Sequence, residues 1–144
     1  MSGDYVSGER DLARLISGMR PERNPGRYVF TTVTGPVPAG LAPVVTVAEE
    51  EGTTLVLRQE EADAAGLPYD YAAAWITLRI HSALDAVGLT AAFARALADA
   101  GLSCNVVAGF HHDHLFVEHD RADEALAVLR GLADRAAREA PDTP

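Results

Sequence analysis

Between Trp75 and Ala133 the spacing of apolar residues changes period in a fixed order, and that order restricts the fold more than any other feature of the chain. Trp75 to Ile80 alternates as a strand does. Gly88 to Ala100 is alanine-rich with helical spacing, and it is closed by Gly101, a residue able to take the left-handed C-terminal cap. Cys104 to Gly109 reads as a second strand, with His114 to Glu118 as its hairpin partner. Asp120 stands where it can cap a last helix whose core side carries Ala122, Ala125, Leu126, Leu129 and Ala133. Strand, helix, strand, strand, helix is most of a ferredoxin-like βαββαβ unit: α+β, with an antiparallel sheet and its helices on one face.

Alternation then assigns the faces of that sheet. Ile76, Leu78 and Ile80 share one side and are joined in register by Cys104, Val106, Ala108, Leu115 and Val117; this is the predicted core. Trp75, Thr77, Arg79, Asn105, Val107, His114, Phe116 and Glu118 fall on the other side. That set is too polar for a core and too aromatic for ordinary solvated surface, so it is expected to be a contact face, with a second copy of the chain as the expected partner.

In the first half, Leu12, Leu15, Ile16 and Met19 line one side of a helix from Glu9, which Pro21 and the Asn24-Pro25-Gly26 turn are expected to end. Tyr28 to Val33 is strand-like, and the proline-rich loop from Gly35 to Gly40 is a rigid connector. Val44 to Val47 and Thr53 to Leu57 flank an acidic tip, Ala48 to Gly52, as a hairpin. Glu60 to Ala65 suits one or two helical turns, and the turn residues from Gly66 to Tyr71 mark the internal boundary. The expected division is therefore 9–68 and 72–137, with disordered tails at 1–8 and 138–144.

Charge narrows the chemistry. All twelve basic residues are arginine, which excludes Schiff-base, P-loop and general-base lysine mechanisms. A formal charge of −9 repels phosphate backbones and anionic lipid, so neither nucleic acid nor membrane is an expected partner. The single cysteine, Cys104, can form no internal disulfide, no basic-then-apolar leader opens the chain, and no apolar run reaches the roughly 20 residues of a membrane span. A cytoplasmic protein is the expectation.

The segment "WITLRIHSALDAVGLTAAFARALADAGLSCNVVAGFHHDHLFV", Trp75 to Val117, resembles an ACT domain, a small regulatory module. The likeness rests on a strand whose following loop enters a helix at Val87-Gly88-Leu89, on the exit Ala100-Gly101-Leu102, and on the strand Ser103-Cys104-Asn105-Val106-Val107. In the first half "YVFTTV", "PVPAGLAPVVTVAEEEGTTLVL" and "EEADAAGL" resemble the N-terminal part of short bacterial tandem-ACT proteins, related to the C-terminal lobes of the CASTOR-type arginine sensors. The likeness spans about residues 9–135. It implies two ferredoxin-like ACT units in tandem and a non-catalytic, homodimeric sensor of an amino acid or similar small carboxylate. It implies no cofactor, and an unknown downstream protein as the reader of the signal.

The residues supply a physical reason for such binding. A helix beginning at Gly88 presents unpaired N–H groups with partial positive charge, suited to a carboxylate, and a glycine there permits close approach. The loop from Ser82 through Asp85, Ala86 and Val87 lies directly before it; Asp85 can pair with an α-ammonium, and Asn105 offers a donor and an acceptor. The resemblance places the ligand between this helix start, including Leu89, and the adjacent strand, which adds Val106 and Val107. The blander reading makes Gly88 an ordinary helix start, Asp85 a cap and Asn105 a turn or interface residue. The first half has no comparable glycine-marked helix start, so one site per chain is expected.

Four of the five histidines lie in "HHDHLFVEH", His111 to His119. His112 and His114, two apart on a strand, project to one side and are a usable pair of zinc or iron ligands. His119 lies roughly 17 Å beyond His114 at strand rise, too far to share a metal with it. A metal site would need Asp113 to swing across or a ligand from another chain. Against the metal-binding or metal-dependent reading stands a simpler one, in which Phe110-His111-His112-Asp113 is the hairpin turn and its imidazoles bond backbone or close over a ligand. The simpler reading weighs more, and a third is a structural interaction protein with no ligand. The tandem-ACT likeness includes a His-Asp-His-like hairpin here without assigning it a role.

Overall fold

The computed structural model describes residues 11–80 and 87–139. A helix, α1, runs through residues 11–17, and the strands β1 (Arg20–Val33), β2 (Val45–Glu49) and β3 (Gly52–Arg58) follow. After them come α2 (Gln59–Ala64), β4 (Ala72–Arg79), α3 (Leu89–Asp99), β5 (Cys104–Ala108), β6 (Asp113–Glu118), a single 3-10 turn His119–Arg121, and α4 (Ala122–Glu139). All six strands form one antiparallel sheet in the order β2-β3-β1-β4-β6-β5.

That order resolves into two interlocked ferredoxin-like units. The first is β1, β2, β3, α2 and then the start of β4, paired as Tyr28 with Ala73 and Val29 with Ala72. The proline-rich segment between β1 and β2 stands where such a unit would have its first helix. The second is β4, α3, β5, β6 and α4, and its fourth strand comes from upstream: Arg20 to Asn24 of β1 pairs with Arg79 to Trp75. β1 and β4 thus each serve both units.

This is a correction to the expected start of the first strand. Asn24-Pro25-Gly26 does not end a helix; it lies inside β1, where the register against β4 shifts between Asn24 and Tyr28 and the chain bulges. Gly26 takes φ 111°, which only glycine adopts without strain; Pro25 is tolerated at this irregular place, and Pro21 on the stretch of β1 that pairs with β4 alone. The short turn after α1 leaves Arg20 already in the sheet.

The helices pack on one face of the sheet. Ile76, Leu78, Leu115 and Val117 are fully buried beneath Phe93 and Leu97 of α3 and Ala125 and Leu129 of α4. Cys104 and Val106 pack against this cluster as expected, but Ala108, at the end of β5, is exposed. Ile16 and Met19 also join this second-unit cluster, so α1 is packed with the half of the chain farther from it in sequence. A smaller cluster of Val29, Val33, Leu55, Leu57 and Ala62 lies under α2. Asp120 sits within the 3-10 turn, and the acids in the first turn of α4 are Asp123 and Glu124. Arg121 ties the turn to the end of α3, its Nη1 donating to the Gly101 carbonyl at 2.8 Å.

The opposite face is more closed than its composition suggests. Tyr28, Val56, Ala73 and Phe116 are almost entirely buried there, with Phe30, Tyr71, Trp75 and Val107 half-buried around them. Aromatic rings cover one another: Phe30 meets Phe116 edge-on at 5.6 Å, and Tyr28 meets Trp75 edge-on at 5.4 Å. The rings and the sheet's curl remove from water what no helix covers.

Because each unit draws a central strand from the other's segment, the two halves are expected to unfold together. In urea, Trp75 fluorescence and far-UV ellipticity should trace one coincident transition. Phe93→Ala should shift it by about 3–5 kcal/mol without splitting it; two separable transitions would contradict the shared-strand account.

Candidate functional site

β4 delivers the chain to the start of α3 at one end of the helix layer. Ser82, Asp85 and Ala86 of the expected site lie outside the described residues. Val87 is 90% exposed, and Gly88 adopts the left-handed conformation with φ 92°. Among the described residues no side chain caps α3, and its first turn has no acid, whereas Glu60 and Glu61 start α2 and Asp123 and Glu124 start α4. Among the described residues, then, nothing acidic offsets the positive end of α3. The closeness that glycine allows is used by the protein itself: a Cβ at Gly88 would lie 3.0 Å from Leu12 Cδ2 of α1. Leu89 turns inward and is buried in the core.

The strand side of the expected site is elsewhere. Asn105 pairs with Phe116 and is exposed on the face away from the helices, near the beginning of β5. Val106 points back to the helix-side core, and Val107 joins the aromatic cluster. Within one chain, the start of α3 and Asn105 thus occupy different sides of the sheet.

His112 and His114 do share a side. Gly109 to His112 form the turn, closed by the Gly109 N–H donating to the His112 carbonyl at 2.9 Å. A Cβ at Gly109 would stand 2.8 Å from that carbonyl oxygen and 3.2 Å from His114 Nε2, so the turn requires glycine for space. His114 lies opposite Thr77 and Val107. Its Nδ1 accepts a hydrogen bond from the Trp75 indole at 3.0 Å; because an indole N–H only donates, the ring is neutral with its proton on Nε2. Burial holds the His114 pKa below the ordinary imidazole value, nearby His112 lowers it further, and Asp113 opposes them. Thr77 Oγ1 lies 3.3 Å from the same nitrogen and accepts from Asn24 Nδ2 at 2.9 Å. Asn24, Thr77, Trp75 and His114 thus link β1, β4 and β6 across the shared strands. The pattern of Asn24-Pro25-Gly26 concealed this role, because those residues also spell a turn.

His112 Nε2 is 3.4 Å from Arg79 Nη1, which belongs to a side chain also paired with Glu22. His111 is exposed and lies edge-on to Phe110. Among the described residues, no group of three His, Cys, Asp or Glu is placed to hold a metal. Among the described residues, then, no third ligand joins the His112–His114 pair. Burial raises the Cys104 thiol's pKa, which disfavours the reactive thiolate.

Two matches cover most of the chain: residues 7–74 and residues 71–131 each match an ACT domain. A Vibrio cholerae protein of unknown function, described as a possible transport protein, is 47% identical over 88% of this chain and 98% of its own, with a TM-score of 0.81. The chain belongs to the ACT-domain family. An Agrobacterium tumefaciens protein shares the fold at 18% identity and TM-score 0.65, covering 80% of this chain and 89% of its own. The ligand-free regulatory subunit of aspartate kinase from Thermus thermophilus does so at 11% and 0.55, covering 85% and 97%. No curated protein matches the chain in sequence. The tandem ACT architecture places an uncapped helix start at one end of the second unit and a neutral, hydrogen-bonded histidine on its other face. Among the described residues, no helix is long and apolar enough to cross a membrane.

The Trp75–His114 bond carries a pH signature. A histidine whose folded pKa lies below its unfolded value, near 6.5, contributes stability that is complete at higher pH and is lost as pH falls through that range. The urea midpoint should fall on acidification from pH 7.5 toward 5.5, with a change in Trp75 emission. His114→Gln should flatten the curve, and an unchanged slope in that variant would remove His114 as its source.

Proposed function

We propose that this tandem ACT protein is a non-catalytic regulatory protein that binds an amino acid or similar small carboxylate at the start of α3. The single observation that supports the place is the uncapped, acid-free first turn at Gly88, which leaves N–H donors for an anion in a chain that is otherwise strongly acidic. Leu12 shields one side of that start with apolar surface. Thr90 and Ala91 are exposed beside it. In this reading Ser82, Asp85, Ala86 and Val87 border the ligand from the preceding loop, and Asp85 takes its ammonium group.

The protein works as a homodimer in the cytoplasm, needing no cofactor. Asn105, exposed on edge strand β5, is too far around the sheet to serve its own chain's helix start, so it reaches the ligand of a second copy, with Val106 and Val107 shaping the strand that carries it. Ligand seated between copies stabilises one arrangement of the dimer, and a downstream protein reads that arrangement. His112 and His114 belong to this reading as the hairpin that sets the end of the same sheet face.

The test is a thermal-shift series of the purified chain against the proteinogenic amino acids, with zinc as a separate arm. A ligand present at about one hundred times its dissociation constant should stabilise by about 2.7 kcal/mol. Ala91→Glu should remove that shift, because a carboxylate in the first turn occupies the helix's positive end while supporting the helix itself. No response to any amino acid, or a zinc response abolished by His112→Ala with His114→Ala, would overturn the reading.

A further inference from the structure

Where β6 turns toward α4, His119 stands between two arginines of β1. Its Nε2 lies 3.3 Å from Arg23 Nη2, and its Nδ1 lies 3.1 Å from Arg27 Nη2. Asp120 Oδ1 is 3.3 Å from Nδ1 and 3.5 Å from the same Arg27 nitrogen. The two arginines belong to different parts of the shared strand: Arg23 pairs with Ile76 in the stretch that completes the second unit, and Arg27 lies in the register break that leads into the first.

These contacts cannot all be hydrogen bonds at once. A guanidinium only donates, and a neutral imidazole has one acceptor nitrogen and one N–H. With the proton on Nδ1, the ring donates to Asp120 and its Nε2 accepts from Arg23, while Arg27 faces an N–H and is left with Asp120. With the proton on Nε2, Nδ1 accepts from Arg27, while Arg23 faces an N–H and is left with Asp123 at 3.6 Å. The first arrangement has an added bond to a carboxylate and the second has the shorter contact, so the two are closely matched. In each, the arginine that is set aside still has an acid beside it. A recess of about 230 Å³, lined in part by Arg27, Asp70, Tyr71 and Glu118, adjoins the ring and gives the Arg27 side chain room to turn. Arg121 does not compete, since it donates to Glu124 and to the Gly101 carbonyl. With 24% of its side chain exposed, His119 is buried enough for an unpaired ring nitrogen to be costly.

We propose that His119 is a two-position latch: its single acceptor nitrogen holds Arg23 in one tautomer and Arg27 in the other. The corner of the second unit is thereby tied either to the strand that completes that same unit or to the bulge that leads into the first. The exchange moves one proton between the two nitrogens of the ring by way of solvent, so the net charge is unchanged. It rearranges side chains and leaves the strand ladder paired. Whatever displaces one of the arginines favours the tautomer that holds the other, which makes the corner responsive to both units. The latch does not rest on binding at the start of α3 and stands or falls separately from it.

Nuclear magnetic resonance of the full chain, with ¹⁵N in its histidine rings, tests the assignment at about pH 8, where an ordinary imidazole is neutral. His119→Gln identifies the His119 signals by their disappearance. In the parent, both ring nitrogens should resonate between the N–H and the acceptor positions, or give two sets of signals. Arg27→Met should drive Nδ1 to the N–H position, whereas Arg23→Met and Asp120→Ala should drive Nε2 there, all with melting curves like the parent's. Asp120→Ala, a change outside β1, should also move the Gly26 amide signal. A single pure tautomer in the parent, both arginine variants moving the ring the same way, or a Gly26 amide unmoved by Asp120→Ala would each overturn the proposal.

Discussion

The antiparallel pairing of β1 with β4 is the interaction on which the rest of the protein depends. Each strand is the first of one unit and the fourth of the other, so neither unit can close its sheet alone. A small ferredoxin-like unit of some sixty residues has little core; sharing two central strands lets both units bury them on two neighbours and both faces. The consequence is visible in burial: Val29, Ala73, Ala74, Ile76 and Leu78 are all fully buried although they come from segments expected to belong to different halves. α1 follows the same logic. Arg20 must reach the end of β4 at Arg79, and the helix just before it is thereby delivered to the second unit's core, where Ile16 and Met19 are buried.

Much of this was legible because periodicity is a local property. Alternation in Trp75 to Ile80 and helical spacing in Gly88 to Ala100 survive any tertiary arrangement, and the face assignments of Ile76, Leu78, Leu115 and Val117 followed from them. What local pattern does not carry is which strand sits beside which. Asn24-Pro25-Gly26 has the composition of a turn, and only the pairing of its flanks with β4 turns it into a bulge. Ala108 alternates correctly yet is exposed, since β5 is an edge and that residue is its last. The site divides the same way. The helix start at Gly88 is a local feature and was readable; the separation of Asn105 from it is a question of sheet sides and ends.

The histidine segment shows how spacing can suggest one chemistry while geometry performs another. Two histidines on one side of a strand are what a metal would use, but His114 spends its acceptor nitrogen on the Trp75 indole. That bond, continued through Thr77 to Asn24, fixes the polar side chains of three neighbouring strands on a face where no helix holds them. A neutral ring is required for it, which explains why burial that disfavours the charged form is compatible with the fold. Gly109 matters for the same reason: a larger residue would press on His114 as well as on the turn.

Regulation by ligand needs an element with two arrangements that both the ligand and the output can sense. A flat ladder of strand pairs is poorly suited, because sliding it by one residue would exchange its buried and exposed faces. The register between β1 and β4 breaks at the bulge from Asn24 to Tyr28, which separates the stretch that completes the second unit from the stretch that completes the first. Arg79, leading to α3, lies at one end of the shared ladder, and Ala72, beside the charged corner, lies at the other. Any movement of one unit against the other that preserves the hydrogen bonds of both stretches must be absorbed in those bulged residues. Asn24 anchors one side of the bulge to Thr77, and Tyr28 anchors the other through its buried ring and its hydroxyl donating to the Pro25 carbonyl at 2.8 Å. The bulge is therefore held at both flanks and tied at Pro25 within, and it marks the point where the shared ladder passes from one unit to the other.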